Sequence, residues 1–274
     1  MDWWQALLLG IVQGLTEFLP VSSSGHLMIF KEILGVDGEG FLDFTITVHF
    51  ATVLSTIVVF RKEIWNLLKG IFKFKMNEET DYILKLVVSM IPVAIVGFFF
   101  KDKVEALFDG GLFTVAVYLI VTAVLLFFSD NFKLKIKDQN KSAISPRGGI
   151  SYWQAFVVGI GQAFAVAPGL SRSGTTIATG ILCGVRREVM AQFSFLMVLA
   201  PIVGEQMLDL IKGMSSPETS APGVGFVVLL LGFIASFISG LFACKAMIAI
   251  VKKARLTWFA LYCLVVSLAI LILS

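Results

Sequence analysis

QGLTEFLPVSSSGHL, Gln13 to Leu27, sets a carboxylate, three consecutive serines and one of only two histidines inside otherwise apolar sequence. An apolar run can be helical, but Pro20, the hydroxyls after it and Gly25 interrupt one. Two short helices with a polar break between them are therefore expected. Gln13 and Glu17, four apart, share one face of the first. The surroundings decide whether that break is a surface loop or lies deeper.

Those surroundings are a membrane protein's. The chain has 274 residues, 57% hydrophobic and 15% charged, where a soluble domain carries about 25% charged residues. Residues 44–60, 110–129, 224–244 and 256–274 contain no charged residue, and a helix crosses a bilayer in about 20 residues. The fold class expected is an all-α polytopic membrane protein, a single membrane domain over 1–274. The opening MDWWQALLLG lacks the basic start of a cleavable signal and is read as mature protein. Cys183, Cys244 and Cys263 have unrelated spacings, so neither a disulfide framework nor a zinc site is implied. Most Lys and Arg fall in loops, and no nucleic-acid partner is implied.

Six transmembrane helices are expected, at about 43–60, 82–100, 112–129, 190–211, 224–243 and 256–273. Arg61, Lys62, Lys69, Lys73 and Lys75 follow the first; Lys133, Lys135, Lys137, Lys141 and Arg147 the third; Lys245, Lys252, Lys253 and Arg255 the fifth. Those loops should be cytoplasmic, and 101–111 and 212–223 outside, with both termini outside too. Segments 1–35 and 150–187 fit neither side as simple spans. Each starts apolar and is interrupted, by LPVSSSG or by APGLSRSG. The consistent reading is two re-entrant helix pairs, their broken backbone shielded inside protein or along a wet cavity.

The two interrupted segments are alike. WQALLLGIVQ (4–13) matches WQAFVVGIGQ (153–162), and SSSG (22–25) matches SRSG (171–174), both at a shift of 149. DFTITVHFATVL (43–54) loosely shadows QFSFLMVLAPIV (192–203) at the same shift. The charge argument gives these counterparts opposite directions, hence an inverted-topology repeat: repeat 1 about 1–130, repeat 2 about 150–274, a cytoplasmic linker about 131–149. That architecture places a shared site where the broken helices meet.

One break offers Glu17, Ser22, Ser23, Ser24 and His26 beside Gln13, the other Ser171, Arg172, Ser173, Thr175 and Thr176. Glu17 and Arg172 lack a local partner, and an ionisable group at this depth costs several kcal/mol unless paired or hydrated. Free N–H groups at helix starts favour anions, and an Arg fork beside hydroxyls suits a phosphate. Bland readings compete. Serines after a proline can simply satisfy their own backbone; a buried histidine is more often a hydrogen-bonded core group than a catalyst; an Arg at a helix end can snorkel; Gly10 and Gly14 read as a packing pair. Complementary chemistry at the same break in both halves favours function. His49 reads as a buried hydrogen-bonding group that can line the cavity, and the sequence does not place Glu205.

QGLTEFLPVSSSGHL together with PGLSRSGTT resembles the undecaprenyl-diphosphatase family, the bacitracin-resistance type of bacterial lipid phosphatase. Its Glu/Gln-x-x-x-Glu and Pro-Val-Ser-Ser-x-Gly-His motif stands complete from Gln13 to His26, and Pro-Gly-x-Ser-Arg-Ser-x-x-Thr from Pro168 to Thr176. Length, span pattern and duplication extend the resemblance over essentially the whole chain. Gln13 takes the glutamine alternative, leaving one carboxylate at that pair. His49 and Glu205 belong to neither motif.

The resemblance implies hydrolysis of undecaprenyl diphosphate to undecaprenyl phosphate and inorganic phosphate, recycling the lipid carrier of peptidoglycan synthesis. It implies a multi-pass protein of the bacterial cytoplasmic membrane with its active site facing outward. On this reading Arg172 clamps the terminal phosphate, helped by Ser171, Ser173 and Thr176, while Gln13, Ser22 and Ser24 also line the substrate site. Ser23 is the preferred nucleophile, with His26 or Glu17 as its base; direct attack by His26 is the alternative. Glu17 and Gln13 would hold a divalent cation, Mg²⁺ or Ca²⁺. A homodimer is compatible with the sequence. A transporter or flippase for a lipid phosphate or other anion is the competing class, because inverted repeats with broken helices are typical of carriers. A nucleophile–base pair beside the arginine separates the two.

Overall fold

A computed structural model describes residues 1–36, 40–108, 110–131, 149–199, 201, 203–204 and 224–273. Among them every regular element is α-helical: α1 Trp3–Phe18, α2 Ser23–Ile33, α3 Phe41–Ile71, α4 Glu78–Phe99, α5 Lys101–Phe108, α6 Gly111–Asn131, α7 Tyr152–Phe164, α8 Arg172–Leu182, α9 Arg187–Met197, α10 Phe226–Lys253 and α11 Thr257–Leu273. Four of these are long and apolar enough to cross a membrane, over Phe41–Ile71, Glu78–Phe99, Gly111–Asn131 and Phe226–Val251; Thr257–Leu273 is a shorter apolar helix. Their outward faces carry exposed Ile95, Phe98, Phe242 and Val265, as a lipid-solvated surface requires.

Most expected spans coincide with helices, and two run past their expected ends; α10 continues beyond residue 243 to Lys253, so Lys245 rides on the helix. α3 continues past residue 60 to Ile71, so Arg61, Lys62 and Lys69 ride on the helix rather than in a loop. Leu67 is buried there and Gly70 packs against Glu79 at the start of α4, which holds the extra turns in place. The expected span 190–211 begins within α9, and the rest of it lies largely outside the described residues, as do Glu205 and nearly all of the linker.

Both interrupted segments fold as pairs of short helices. α1 ends at Phe18, just before Pro20, and α7 ends at Phe164, before Pro168. Each second helix starts on a serine cap, Ser22 Oγ accepting from Gly25 N and Ser171 Oγ from Gly174 N. The two pairs share further bonds, each recurring 149 residues later. Gln5 Nε2 donates to Leu34 O and Gln154 Nε2 to Cys183 O, at 3.0 and 2.9 Å. Capping boxes open both first helices, at Asp2/Gln5 and Ser151/Gln154.

Each first helix packs on a long helix from the other half of the chain, α1 on α10 and α7 on α4. Missing side chains make this possible. A Cβ on Gly10 would fall 2.5 Å from Gly232 O, and one on Gly14 2.5 Å from Ser236 O. Close backbone approach through small residues drives helix association where lipid removes the hydrophobic incentive. Hydroxyls add cross-links: Ser55 Oγ to Phe237 O and Ser236 Oγ to Val48 O join α3 and α10, and Ser267 Oγ to Ala116 O joins α11 and α6, all at 2.8 Å. A polar clamp sits at one end. Asp130 accepts from Thr257 N and Oγ1 at 2.8 Å and pairs with Arg187, which also donates to Ala254 O.

The α1–α10 contact therefore has no room for a larger residue. Gly14→Leu should lower the thermal unfolding midpoint of the detergent-purified protein, since overpacking costs about 1–3 kcal/mol. Gly97→Leu, where nothing lies within 4 Å of the added Cβ, should stay within about 0.5 kcal/mol of the parent.

Candidate active site

The two breaks meet. Gly25 lies against Gly169, and Gly174 against Pro20, so each break seats its glycine on the other's turn. Gly169 has φ +90°, and a Cβ there would fall 2.5 Å from Val115 O; only glycine fits both demands. Ser173 Oγ donates to Leu19 O at 3.1 Å across the junction, while Ser171 N donates to Thr122 Oγ1 on α6 at 3.1 Å. Non-helical backbone is thus enclosed by protein and bonded, the condition for tolerating it at membrane depth.

Glu17 stands at the centre. Its Oε2 accepts from Gln13 Nε2 at 2.8 Å and from Ser23 Oγ at 2.5 Å. Arg172 Nη2 approaches Oε1 at 3.6 Å, and His49 Nε2 faces Oε2 at 3.7 Å. Residues of α1, α2, α3 and α8 thus face the carboxylate at once. Charge-assisted bonds of the Ser23 kind are short and about twice as strong as neutral ones. Beside it a cavity of about 30 Å³ is lined by Glu17, Arg172, Ser173, Thr52, Thr56 and Ser194 with apolar neighbours such as Phe195. That is room for roughly one or two waters.

Ser22 holds the first break in an unusual conformation, φ +69° and ψ +97°. A non-glycine residue there costs on the order of 1–3 kcal/mol and persists only where its surroundings fix it. They do: Ser22 Oγ caps Gly25 N, and Ser22 O accepts from His26 N at 3.1 Å and bonds His26 Nδ1 at 2.8 Å. His26 Nε2 bonds Tyr262 OH on α11 at 2.7 Å, the rings stacked 5.6 Å apart and 9° from parallel. Ser171, at φ −69°, carries no such strain.

The candidate residues therefore divide. Gln13, Glu17, Ser23, Arg172 and Ser173 converge on one cluster. Of the two candidate bases, Glu17 touches Ser23, whereas His26 is engaged by Ser22 and Tyr262. Ser22 and Ser171 serve as helix caps, Ser24 Oγ lies 3.4 Å from Ser22 Oγ, and Thr176 Oγ1 bonds Arg172 O and Ser194 Oγ. From sequence, His49 is reached only as a buried group lining the cavity, and Tyr262 is not reached. His49 did carry a signal, because 49, 52 and 56 form a polar stripe at helical spacing on an apolar span. Tyr262 carried none.

The donor set fits a hard divalent cation. Gln13 is fully buried and its Oε1 has no hydrogen-bond partner, an orphan acceptor beside a carboxylate. Such an ion takes oxygen ligands and commonly completes its shell with substrate phosphates and water. No group of three or more His, Cys, Asp or Glu residues gathers among the described residues, so substrate oxygens would have to supply part of the shell.

Sequence relationships agree with this geometry. The family profile described as bacitracin resistance protein BacA matches residues 6–269. A Bacteroides thetaiotaomicron protein named undecaprenyl-diphosphatase is 52% identical over 272 residues, 99% of each chain. Proteins of the same name from Christiangramia forsetii and Methanococcus vannielii are 49% and 39% identical, over 100% and 97% of this chain and 99% and 98% of their own. A match of that extent, running through both breaks, makes the chain a member of the BacA family of bacitracin resistance proteins.

Proposed function

We propose that the protein hydrolyses undecaprenyl diphosphate to undecaprenyl phosphate and inorganic phosphate. The observation that carries this reading is the 2.5 Å contact between Ser23 Oγ and Glu17 with Arg172 on the other carboxylate oxygen. A carrier for lipid phosphates needs the arginine; it has no use for a hydroxyl–carboxylate pair beside it.

The residues allow a two-step displacement. An arriving terminal phosphate draws Arg172 off Glu17, and the guanidinium forks two of its oxygens while Ser173 turns its hydroxyl from Leu19 O to donate a third bond. Freed of that cation, Glu17 becomes a better base. It takes the Ser23 proton as Oγ attacks the terminal phosphorus, and the bond to the departing undecaprenyl phosphate breaks. Glu17 hands that proton to the leaving oxygen. As a carboxylate again it takes a proton from water, which attacks the phosphoserine; Ser23 leaves with that proton and inorganic phosphate is released. Positioning and charge stabilisation supply most of the acceleration in phosphoryl transfer. Glu17 and Gln13 would hold a divalent cation, Mg²⁺ or Ca²⁺, whose charge offsets that of the diphosphate when bound. Ser22, Ser24, Ser171 and Thr176 shape the two breaks around the headgroup, and His26 with Tyr262 holds the Ser22 turn.

We further propose the finer topology: six spans, two re-entrant pairs and two inverted repeats about a cytoplasmic linker. The protein would sit in the bacterial cytoplasmic membrane with both termini and the site on the outer side. The 149-residue recurrence of caps and side-chain bonds supports this, as do the reciprocal glycine contacts and the basic loops.

Purified protein in detergent should release phosphate from a polyprenyl diphosphate and lose that activity in EDTA. Ser23→Ala and Glu17→Gln should each reduce turnover at least about 100-fold, as removing a nucleophile or its base does. Phosphate release by Ser23→Ala at the parent rate would refute the serine mechanism.

Arg172→Lys keeps the charge and loses the fork, so it should lose much of the activity, and Arg172→Ala more. Truncating the partner of a buried anion costs about 2–5 kcal/mol, or roughly 30- to several-thousand-fold in rate. If Arg172 merely snorkelled, Lys would be neutral. For the topology, cysteines introduced between 131 and 145 should resist a membrane-impermeant label on intact cells; labelling from outside would reverse the orientation.

A further inference from the structure

His49 has the hydrogen bonding of a metal-bound histidine. Its Nδ1 lies 2.9 Å from Thr45 O. A carbonyl oxygen only accepts, so Nδ1 carries the hydrogen, and in the neutral ring Nε2 is a bare lone pair. That lone pair faces Glu17 Oε2 at 3.7 Å, acceptor toward acceptor and too far apart for a hydrogen bond. A shared proton would draw the two atoms to about 2.7–2.9 Å. A divalent ion bound to both, at about 2.0–2.4 Å from each, leaves them about 3–4 Å apart. The observed separation falls in the second range.

Two further features point the same way. Gln13 donates Nε2 to that same Glu17 oxygen, and the Oε1 of its amide is buried with no partner. Donation of Nδ1–H to a backbone carbonyl is also the outer contact that fixes the tautomer of metal-bound imidazoles. Arg172 occupies the other side, at Glu17 Oε1, so guanidinium and metal ion need not compete for one oxygen.

We propose that His49 is a third ligand of the cation held by Glu17 and Gln13, making the site a mixed nitrogen–oxygen one. The assignment rests on the cation-assisted phosphatase reading. It adds α3 to the site and admits a borderline ion such as Zn²⁺ alongside Mg²⁺, Ca²⁺ and Mn²⁺, because imidazole suits zinc.

The test uses full-length protein in detergent, stripped with EDTA and loaded with Mn²⁺ alone. Electron spin-echo modulation of the bound ion should show ¹⁴N coupling from one imidazole. His49→Leu should abolish that coupling and weaken the Mn²⁺ dissociation constant at least about tenfold. Failure of the parent to bind Mn²⁺, Mn²⁺ bound without ¹⁴N coupling, or parent-like affinity in His49→Leu would each overturn the assignment. The parent spectrum needs no variant, so a misfolded His49→Leu does not remove the test. Phosphate release from the same preparation separates the two readings. Metal-dependent turnover without ¹⁴N coupling sinks the ligand assignment alone, whereas ¹⁴N-coupled Mn²⁺ with no turnover sinks the phosphatase and leaves the ligand standing.

Discussion

A carboxylate within apolar protein must be surrounded by donors or cations, and Glu17 imposes that requirement on everything near it. Charge at membrane depth costs several kcal/mol when unmet. Gln13 and Ser23 can be supplied locally, from the same helix and across the break. Arg172 cannot; it arrives on the second broken pair. Seating the carboxylate therefore requires both breaks to meet, and the glycines at 25, 169 and 174 are what let them come close enough. A glutamine at 17 would relax the demand, and with it much of the reason for this arrangement.

The same economy explains why the helices are broken at all. An unbroken helix bonds its own backbone and leaves no N–H free for a ligand. Interrupting α1 and α7 opens new helix starts inside the protein, and the freed groups must then be satisfied from within. Ser22 and Ser171 do so with their hydroxyls, Thr122 with an acceptor for Ser171 N. The first break goes further, holding Ser22 in a strained conformation pinned by His26 and, behind it, Tyr262. Strain concentrates in the half that also carries the hydroxyl–carboxylate pair.

Much of this was legible in the sequence because it is local. The spacing of Gln13 and Glu17, the interruptions at Pro20 and Pro168, and the 149-residue correspondence all follow from periodicity and turn chemistry. The meeting of Glu17 with Arg172 was also within reach, since two ionisable groups lacking local partners had to find each other. What escaped depends on contacts without a period. Tyr262 meets His26 across 236 residues, and nothing in an apolar helix distinguishes one tyrosine from another. The sharing of hydroxyls between capping and the cluster turns on side-chain direction at a tight turn, which residue type does not encode. α3 outran its expected end because Arg61 and Lys62 can extend along a helix without stopping it.

The exchange of partners between halves has a consequence in time. α1 is synthesised first, yet the surface that covers Gly10 and Gly14 belongs to α10, more than two hundred residues later. At about 5–20 residues per second, translation leaves α1 without that partner for on the order of ten to forty seconds. During that interval the nascent chain holds Glu17 before either Arg172 or α10 exists. Early intermediates should therefore depend on the insertion machinery to shelter α1, and a stalled or truncated chain should be recognised and degraded, not stored as a half-built enzyme.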